Sequence, residues 1–321
     1  MRWLSFVRYH DSGLFGSDKY RFGDLYGLTY LAPFRIEKDT TLVRNQGGKS
    51  AKRDVDLYIL GDSYLFGYIH MDTSNFARSK HVEFRRWSDL SSKPISIRPS
   101  SNKKVLVIET VERNVGTILQ KDRLRMHLEY IPDQSNWHEA LNAFLFDHIY
   151  HPQLEQNLDF TLFNLQIISP IKTMKSALNS GLFHRVSSDV SVSSDASFLY
   201  LRETIDSTKQ SSSFYPVKKK ELIELRNHMI EMNLLAKSKG FDEVLFVIIP
   251  NPVVFTKTEA RPTNHLVQQL SQESGSSLRI LDPTASLMQG GKNYFFKSDS
   301  HWNQAGARAW LAHFNQHLLA L

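Results

Sequence analysis

Six consecutive apolar residues, Val244-Leu245-Phe246-Val247-Ile248-Ile249, constrain this chain more than any other feature. A strand with one wet face alternates apolar and polar residues. A short run with no polar interruption suits a strand covered on both faces, as in a parallel sheet between helices. Val105-Leu106-Val107-Ile108 repeats the pattern, and residues 55–60, 94–97 and 278–282 supply three further strand candidates. Helical signals lie between them. Leu222, Leu225, Met229, Met232 and Ala236 step by three or four, and Gly240 follows as a stop. Near the end, Trp310, Leu311, Phe314 and Leu318 share one stripe behind Asn303, a good N-cap. Strands alternating with helices predict an α/β fold, a three-layer doubly wound parallel sheet.

Two regions break this rhythm. Residues 1–50 are rich in glycine and aromatics with little periodicity. They read as an irregular arm packed on the body, 51–321, through side chains such as Tyr20, Tyr26 and Tyr30. Asn45-Gln46-Gly47-Gly48 marks a turn at its end. Residues 115–215 read as a largely helical insertion over one end of the sheet. Within it the pattern predicts a helix over 153–178, kinked at Pro170, and then a short hairpin or exposed loop over 187–195.

Composition narrows the classes. Lys and Arg number 39 against 33 Asp and Glu, a net charge of +6 that is scattered along the chain. The longest basic run, Lys218-Lys219-Lys220, opens the helical pattern at 222 and belongs to its solvated face. With no RNP or zinc-finger signature, no nucleic-acid partner is expected. Cysteine is absent, which excludes disulfides, thiolate metal sites and a cysteine nucleophile. No apolar run reaches the roughly 18 residues of a membrane span. The start, Met1-Arg2-Trp3-Leu4-Ser5-Phe6-Val7-Arg8, has no long apolar stretch, so no signal peptide is expected.

Two short motifs carry the chemistry. The strand candidate at 55–60 runs into Gly61-Asp62-Ser63-Tyr64, and Asp299-Ser300-His301-Trp302-Asn303 precedes the last helix. Ligands of open α/β sheets bind at the carboxyl ends of strands, where Ser63 would stand. A turn at Gly61 would aim its Oγ upward, with a helix starting at Phe66-Gly67 and backbone N–H groups around Ser63 available to an oxyanion. Asp62 reads as structural, bonding N–H groups of the turn. A histidine needs an acceptor on its far ring nitrogen to act as a general base, and Asp299 is two residues away. Each motif alone also has a bland reading: Gly-Asp-Ser is a common turn, and an acid before a helix favours its dipole. Ser63 and Asp299 lie 236 residues apart in sequence, so only a fold can unite them.

Together the motifs, a serine after the first strand and an Asp-x-His before the last helix, resemble the SGNH (GDSL-type) hydrolase superfamily. The Asp-Ser-His-Trp-Asn-x-x-Gly form at 299–306 is more similar still to the SGNH-like group containing alginate O-acetylation and DHHW-type proteins. Ordinary GDSL enzymes space their Asp and His three apart; here, as in that group, the spacing is two. Glu112-Arg113-Asn114 after the strand at 105–108 resembles the block that supplies an oxyanion residue. Pro250-Asn251-Pro252 departs from the Pro-Asn-Lys or Pro-Lys element of relatives, which removes a substrate-binding lysine. The likeness covers about 52–115 and 220–321.

The resemblance implies an SGNH/flavodoxin-like sheet, Ser63 as nucleophile, His301 as base and Asp299 as its orienter. It places Arg113, Asn114 and Asn251 in the oxyanion hole or on substrate; for Arg113 an ion pair with Glu109 or Glu112 is the alternative. Trp302 reads as packing. The implied function is a serine-dependent O-acyl esterase or O-acetyltransferase. Its partners would be an acylated carbohydrate or acyl donor, such as a cell-surface or exported polysaccharide, and a membrane-associated acyltransferase. The implied location is outside the cytoplasm. The rival expectation is a non-catalytic glycan- or protein-binding module with a vestigial triad. No metal or cofactor is expected: His70, Asp72 and His81 have no recognised ligand spacing, and phosphate-binding glycine motifs are absent.

Overall fold

A computed structural model describes residues 23–36, 41–48, 52–89, 94–129 and 169–321. The described residues form seven strands: β1 (Val55–Gly61), β2 (Ser79–Arg86), β3 (Lys103–Val111), β4 (Val190–Val192), β5 (Leu199–Leu201), β6 (Glu243–Ile249) and β7 (Arg279–Leu281). Five of them form one sheet in the order β2-β1-β3-β6-β7, every neighbour parallel. The α-helices among the described residues are α1 (Tyr26–Thr29), α2 (Ser63–Phe66), α3 (Val115–Ile118), α4 (Lys121–Leu128), α5 (Ser169–Phe183), α6 (Lys219–Ser238), α7 (Val253–Thr256), α8 (Leu266–Ser274), α9 (Thr284–Met288) and α10 (Gln304–Leu319). The expected α/β class, a parallel sheet flanked by helices, is what forms.

The unbroken apolar runs account for the two cores. Successive side chains of a strand point to opposite faces. Leu57, Ile59, Val105, Val107, Leu245 and Val247 therefore meet Trp310, Leu311, Phe314 and Leu318 of α10 on one face. Tyr58, Leu60, Leu106, Ile108, Phe246 and Ile248 meet Met229 and Met232 of α6 and Leu270 of α8 on the other. Each such side chain, fully buried, contributes about 1.5–3 kcal/mol. The predicted stripe of α6 is buried at Leu222, Met229, Met232 and Ala236, with Leu225 partly so, and Gly240 ends it at φ +97°. Lys218, Lys219 and Lys220 are exposed.

Several expectations need correction. No strand forms at 94–97: Pro94 has no N–H to donate, and the Ile95 N–H goes instead to the carbonyl of His127 at 2.8 Å. The edge position beside β1 is taken by β2, whose Val82 and Phe84 pack on the α10 core while His81, Glu83 and Arg85 alternate with them. The described start of the expected insertion packs on the sheet. Val115, Leu119, Leu124 and Leu128 are buried in the same core as β3 and α6. Of the helix expected over 153–178, residues 153–168 and so the approach to Pro170 lie outside the described residues, and α5 continues to Phe183. The stretch at 187–195 opens a hairpin, β4 against β5.

Of the N-terminal segment, residues 1–22, Tyr20 included, lie outside the described residues. Leu25, Tyr26, Leu31 and Phe34 form a third core with Val190 and Leu199 of the hairpin. No described helix is long and apolar enough to cross a membrane.

Candidate active site

The sheet order reverses between β1 and β3, the kind of switch point at whose carboxyl end open α/β sheets bind ligands. Gly61 ends β1 there. A Cβ on Gly61 would lie 2.7 Å from Oε2 of Glu109, so the close approach requires glycine. Asp62 then caps α2. Its Oδ1 accepts the Tyr64 N–H at 2.9 Å and its Oδ2 the Val111 N–H at 3.2 Å, while its own N–H donates to Glu109 Oε2 at 2.8 Å. The serine turn is thereby tied to the end of β3. The helix begins at Ser63 rather than at Phe66-Gly67, and Gly67 is its C-cap.

The Asp-x-His loop approaches from the opposite end of the chain. Trp302 is fully buried and donates its indole N–H to the Tyr64 carbonyl at 2.9 Å, so it packs as expected. Asn303 caps α10, its Oδ1 accepting from Ala305 and Gly306 at 2.9 and 3.1 Å. Asp299 Oδ1 accepts the backbone N–H of His301 at 3.0 Å and lies 2.5 Å from the ring Nδ1. With Nδ1–H donated to Asp299, Nε2 is left as the acceptor, and the Ser63 hydroxyl lies 2.7 Å from it. The imidazole rests between the rings of Tyr64 and Tyr68, at centroid distances of 4.8 and 5.5 Å. Burial raises both phenols far above their ordinary range, so they stay protonated. Tyr64 donates its hydroxyl hydrogen to the carbonyl of Ser300.

The residues expected to assist divide. Arg113, half-buried in the turn after β3, holds its guanidinium 6.0 Å from the Tyr64 ring centroid. Its buried Nη1 has no hydrogen-bond partner, and it forms no ion pair among the described residues, with Glu109 and Glu112 included. Asn114 shares that turn, and its side chain makes no hydrogen bond among the described residues. Asn251 is fully buried, and its amide hydrogens go to Ser211 O at 3.0 Å and Ser213 Oγ at 3.1 Å, while its Oδ1 has no partner among the described residues. Both donors being engaged inside the protein, Asn251 has none for an oxyanion. Glu112 completes that cluster, accepting from Ser213 Oγ and the Asn251 N–H at 2.8 and 2.9 Å. Burial raises its carboxyl above the ordinary range.

Four neighbours of the triad carried no motif. Tyr64 and Tyr68 enclose the imidazole. Glu109 lies beneath the serine turn, wholly buried, and burial followed by the charge of Asp62 pushes its carboxyl well above the ordinary range. Asp24 comes from the N-terminal segment, accepting the Ser300 N–H at 3.0 Å and the Ser300 hydroxyl at 2.8 Å. Although Asp24 keeps an exposed edge, crowding of its carboxyl and then the charge of Asp299 raise it too. No periodicity or spacing marks these positions; only Tyr64, adjacent to Ser63, was near a visible signal.

Ligand atoms of Asp24, Asp299 and His301 lie within 4.8 Å of one another. Nδ1 of His301 and Oδ1 of Asp299 are joined directly, 2.5 Å apart. Phe66 is 53% exposed one turn from Ser63, stacks on Phe84 at 6.1 Å, and has the Arg86 guanidinium 4.9 Å from its ring. No known protein family's sequence pattern matches this chain, and no curated protein or solved structure is significantly similar to it.

Proposed function

We propose that this chain is a serine-dependent O-acyl esterase or O-acetyltransferase acting on a carbohydrate, with an SGNH-like arrangement of its sheet and triad. The observation that carries this reading is the relay from Ser63 Oγ to His301 Nε2, 2.7 Å, and from His301 Nδ1 to Asp299 Oδ1, 2.5 Å. Counting only its own strands, the sheet runs 2-1-3-4-5, the flavodoxin-like order, with Ser63 at its switch point. That placement supports the finer three-layer reading.

In the reaction, Ser63 Oγ attacks the ester carbonyl carbon as Nε2 of His301 takes the hydroxyl proton. Asp299 stabilises the resulting imidazolium. The negative oxygen of the tetrahedral intermediate faces the Ser63 N–H, which has no acceptor among the described residues, and the Arg113 guanidinium, whose Nη1 has no hydrogen-bond partner among them. Collapse expels the alcohol, which recovers the proton from His301, and leaves acyl-Ser63. A water or a sugar hydroxyl then attacks with His301 again as base, yielding the free acid or a new ester. The same residues serve both outcomes.

The exposed Phe66, stacked on Phe84 and flanked by Arg86, offers an aromatic platform beside the nucleophile of the kind sugar rings use. The resemblance at 299–306 points to an exported polysaccharide, a location outside the cytoplasm and a membrane-associated acyltransferase as partner. The departure at Pro252, where relatives carry lysine, is what speaks for a binding module with a vestigial triad. The test is hydrolysis of p-nitrophenyl acetate and labelling by a fluorophosphonate. Wild type is expected to react at Ser63, and Ser63→Ala to lose both activities by about 10³-fold or more. Equal turnover by Ser63→Ala would sink the assignment.

A further inference from the structure

We propose that Asp24 is a positioning residue of the Ser63–His301–Asp299 relay, and that docking of the N-terminal segment sets the geometry of the catalytic loop. This rests on the acyl-transfer reading above. Ser300 stands between the acid and the base of the relay, and all its polar groups are held. Asp24 Oδ1 accepts its N–H at 3.0 Å, Asp24 Oδ2 its hydroxyl at 2.8 Å, and the Tyr64 hydroxyl donates to its carbonyl. One residue earlier along the loop from Asp299, the Ser298 carbonyl accepts from the backbone N–H groups of Leu25 and Tyr26, both at 3.2 Å. The fit is close enough that a Cβ on Gly23, at φ +96°, would lie 1.9 Å from the Ser298 oxygen. From behind, the hairpin holds the same loop through Leu199 N–H to Lys297 O at 2.8 Å.

The segment that supplies Asp24 is itself anchored, since Leu25, Tyr26, Leu31 and Phe34 are buried against Val190 and Leu199. Residues 298–300 are therefore gripped by a part of the chain some 270 positions away in sequence, while Asp299 and His301 flank the grip. A loop shift of about 1 Å is enough to cost roughly 100-fold in a reaction of this kind. The charged carboxylate also adds to that of Asp299. The titratable groups facing Asp24 are Asp299 and His301 on the loop and Tyr68 in the turn after α2.

The test compares the 321-residue wild type with Asp24→Asn, Asp24→Ala and Ser300→Ala, each checked for folding by thermal melting. The rate of fluorophosphonate labelling of Ser63 is measured across pH, and the low-field imidazole Nδ1–H resonance of His301 is recorded by NMR. Asp24→Asn, which keeps one acceptor and loses the charge, is expected to label about tenfold more slowly, the effect of one charge-assisted hydrogen bond. Asp24→Ala is expected to label more slowly still and Ser300→Ala to fall between wild type and Asp24→Asn. The acid limb of the profile is expected to lose one ionisation in Asp24→Asn, and the resonance to broaden. A folded Asp24→Asn with wild-type rate, profile and resonance overturns the proposal. If wild type is not labelled, the acyl-transfer reading fails, and the resonance alone decides the role of Asp24: broadening supports it, and an unchanged signal overturns it.

Discussion

Beneath the Ser63 turn lies a carboxyl group with no access to solvent. Glu109 accepts the Asp62 N–H at 2.8 Å, and its raised pKa keeps a proton on it where an ordinary glutamate, at 4.5, has lost one. The folded chain therefore binds more protons than the unfolded chain between 4.5 and that raised value. Stability from this group is fully present below the ordinary glutamate range and is lost as pH rises through the raised value. Each unit of displacement corresponds to about 1.4 kcal/mol. Glu109→Gln, neutral at every pH, is expected to flatten this decline. Urea unfolding of both proteins from acid to alkaline pH measures it. A wild type whose stability rises across that whole window would show that Glu109 folds in its charged form.

At the scale of elements, α2 has four residues, too few to persist as a helix on its own. It survives because Asp62 caps it and because Tyr64 is buried under Trp302 and the Ser300 carbonyl. Ser63 thus sits on an element whose existence depends on the far end of the chain. The other half of the relay depends on a cap. Asn303 accepts two N–H groups at the start of α10, two residues after His301. Asn303→Ala is expected to cost about 1 kcal/mol in urea unfolding. It is also expected to slow Ser63 labelling, because the first turn of α10 and the His301 loop then lose a shared anchor. Loss of stability with an unchanged labelling rate would separate the cap from the relay.

Across the whole molecule, the core and the site are continuous. Trp302 follows His301 in sequence and packs at 5.7 Å from Trp310, which stacks at 5.0 Å on Phe314. Trp310 is fully buried between α10 and the sheet. Trp310→Ala is expected to destabilise the fold by about 3–5 kcal/mol through the cavity it leaves. It is also expected to slow labelling, as Trp302 loses the surface it rests on. Thermal melting with labelling at a temperature where the variant remains folded checks both parts.

The sheet was legible because full burial writes itself locally: a strand covered on both faces must be apolar at every position, as at 244–249. The α6 and α10 stripes and the Asn303 cap were legible for the same reason, since each is a relation between residues three or four apart. Ser63, Asp299 and His301 stood at visible punctuation, a strand end and a helix start. Edge strand β2 was missed because it pairs on one side only and keeps charged residues on its open face. The buried partners of Asn251 and Glu109 were not legible, and Asp24 and Tyr68 were not seen, because their roles come from contacts with parts of the chain that share no period with them. Sequence spacing encodes what a residue does within its own element. Which carboxylate meets which N–H across 276 positions, as for Asp24 and Ser300, follows from packing the elements together.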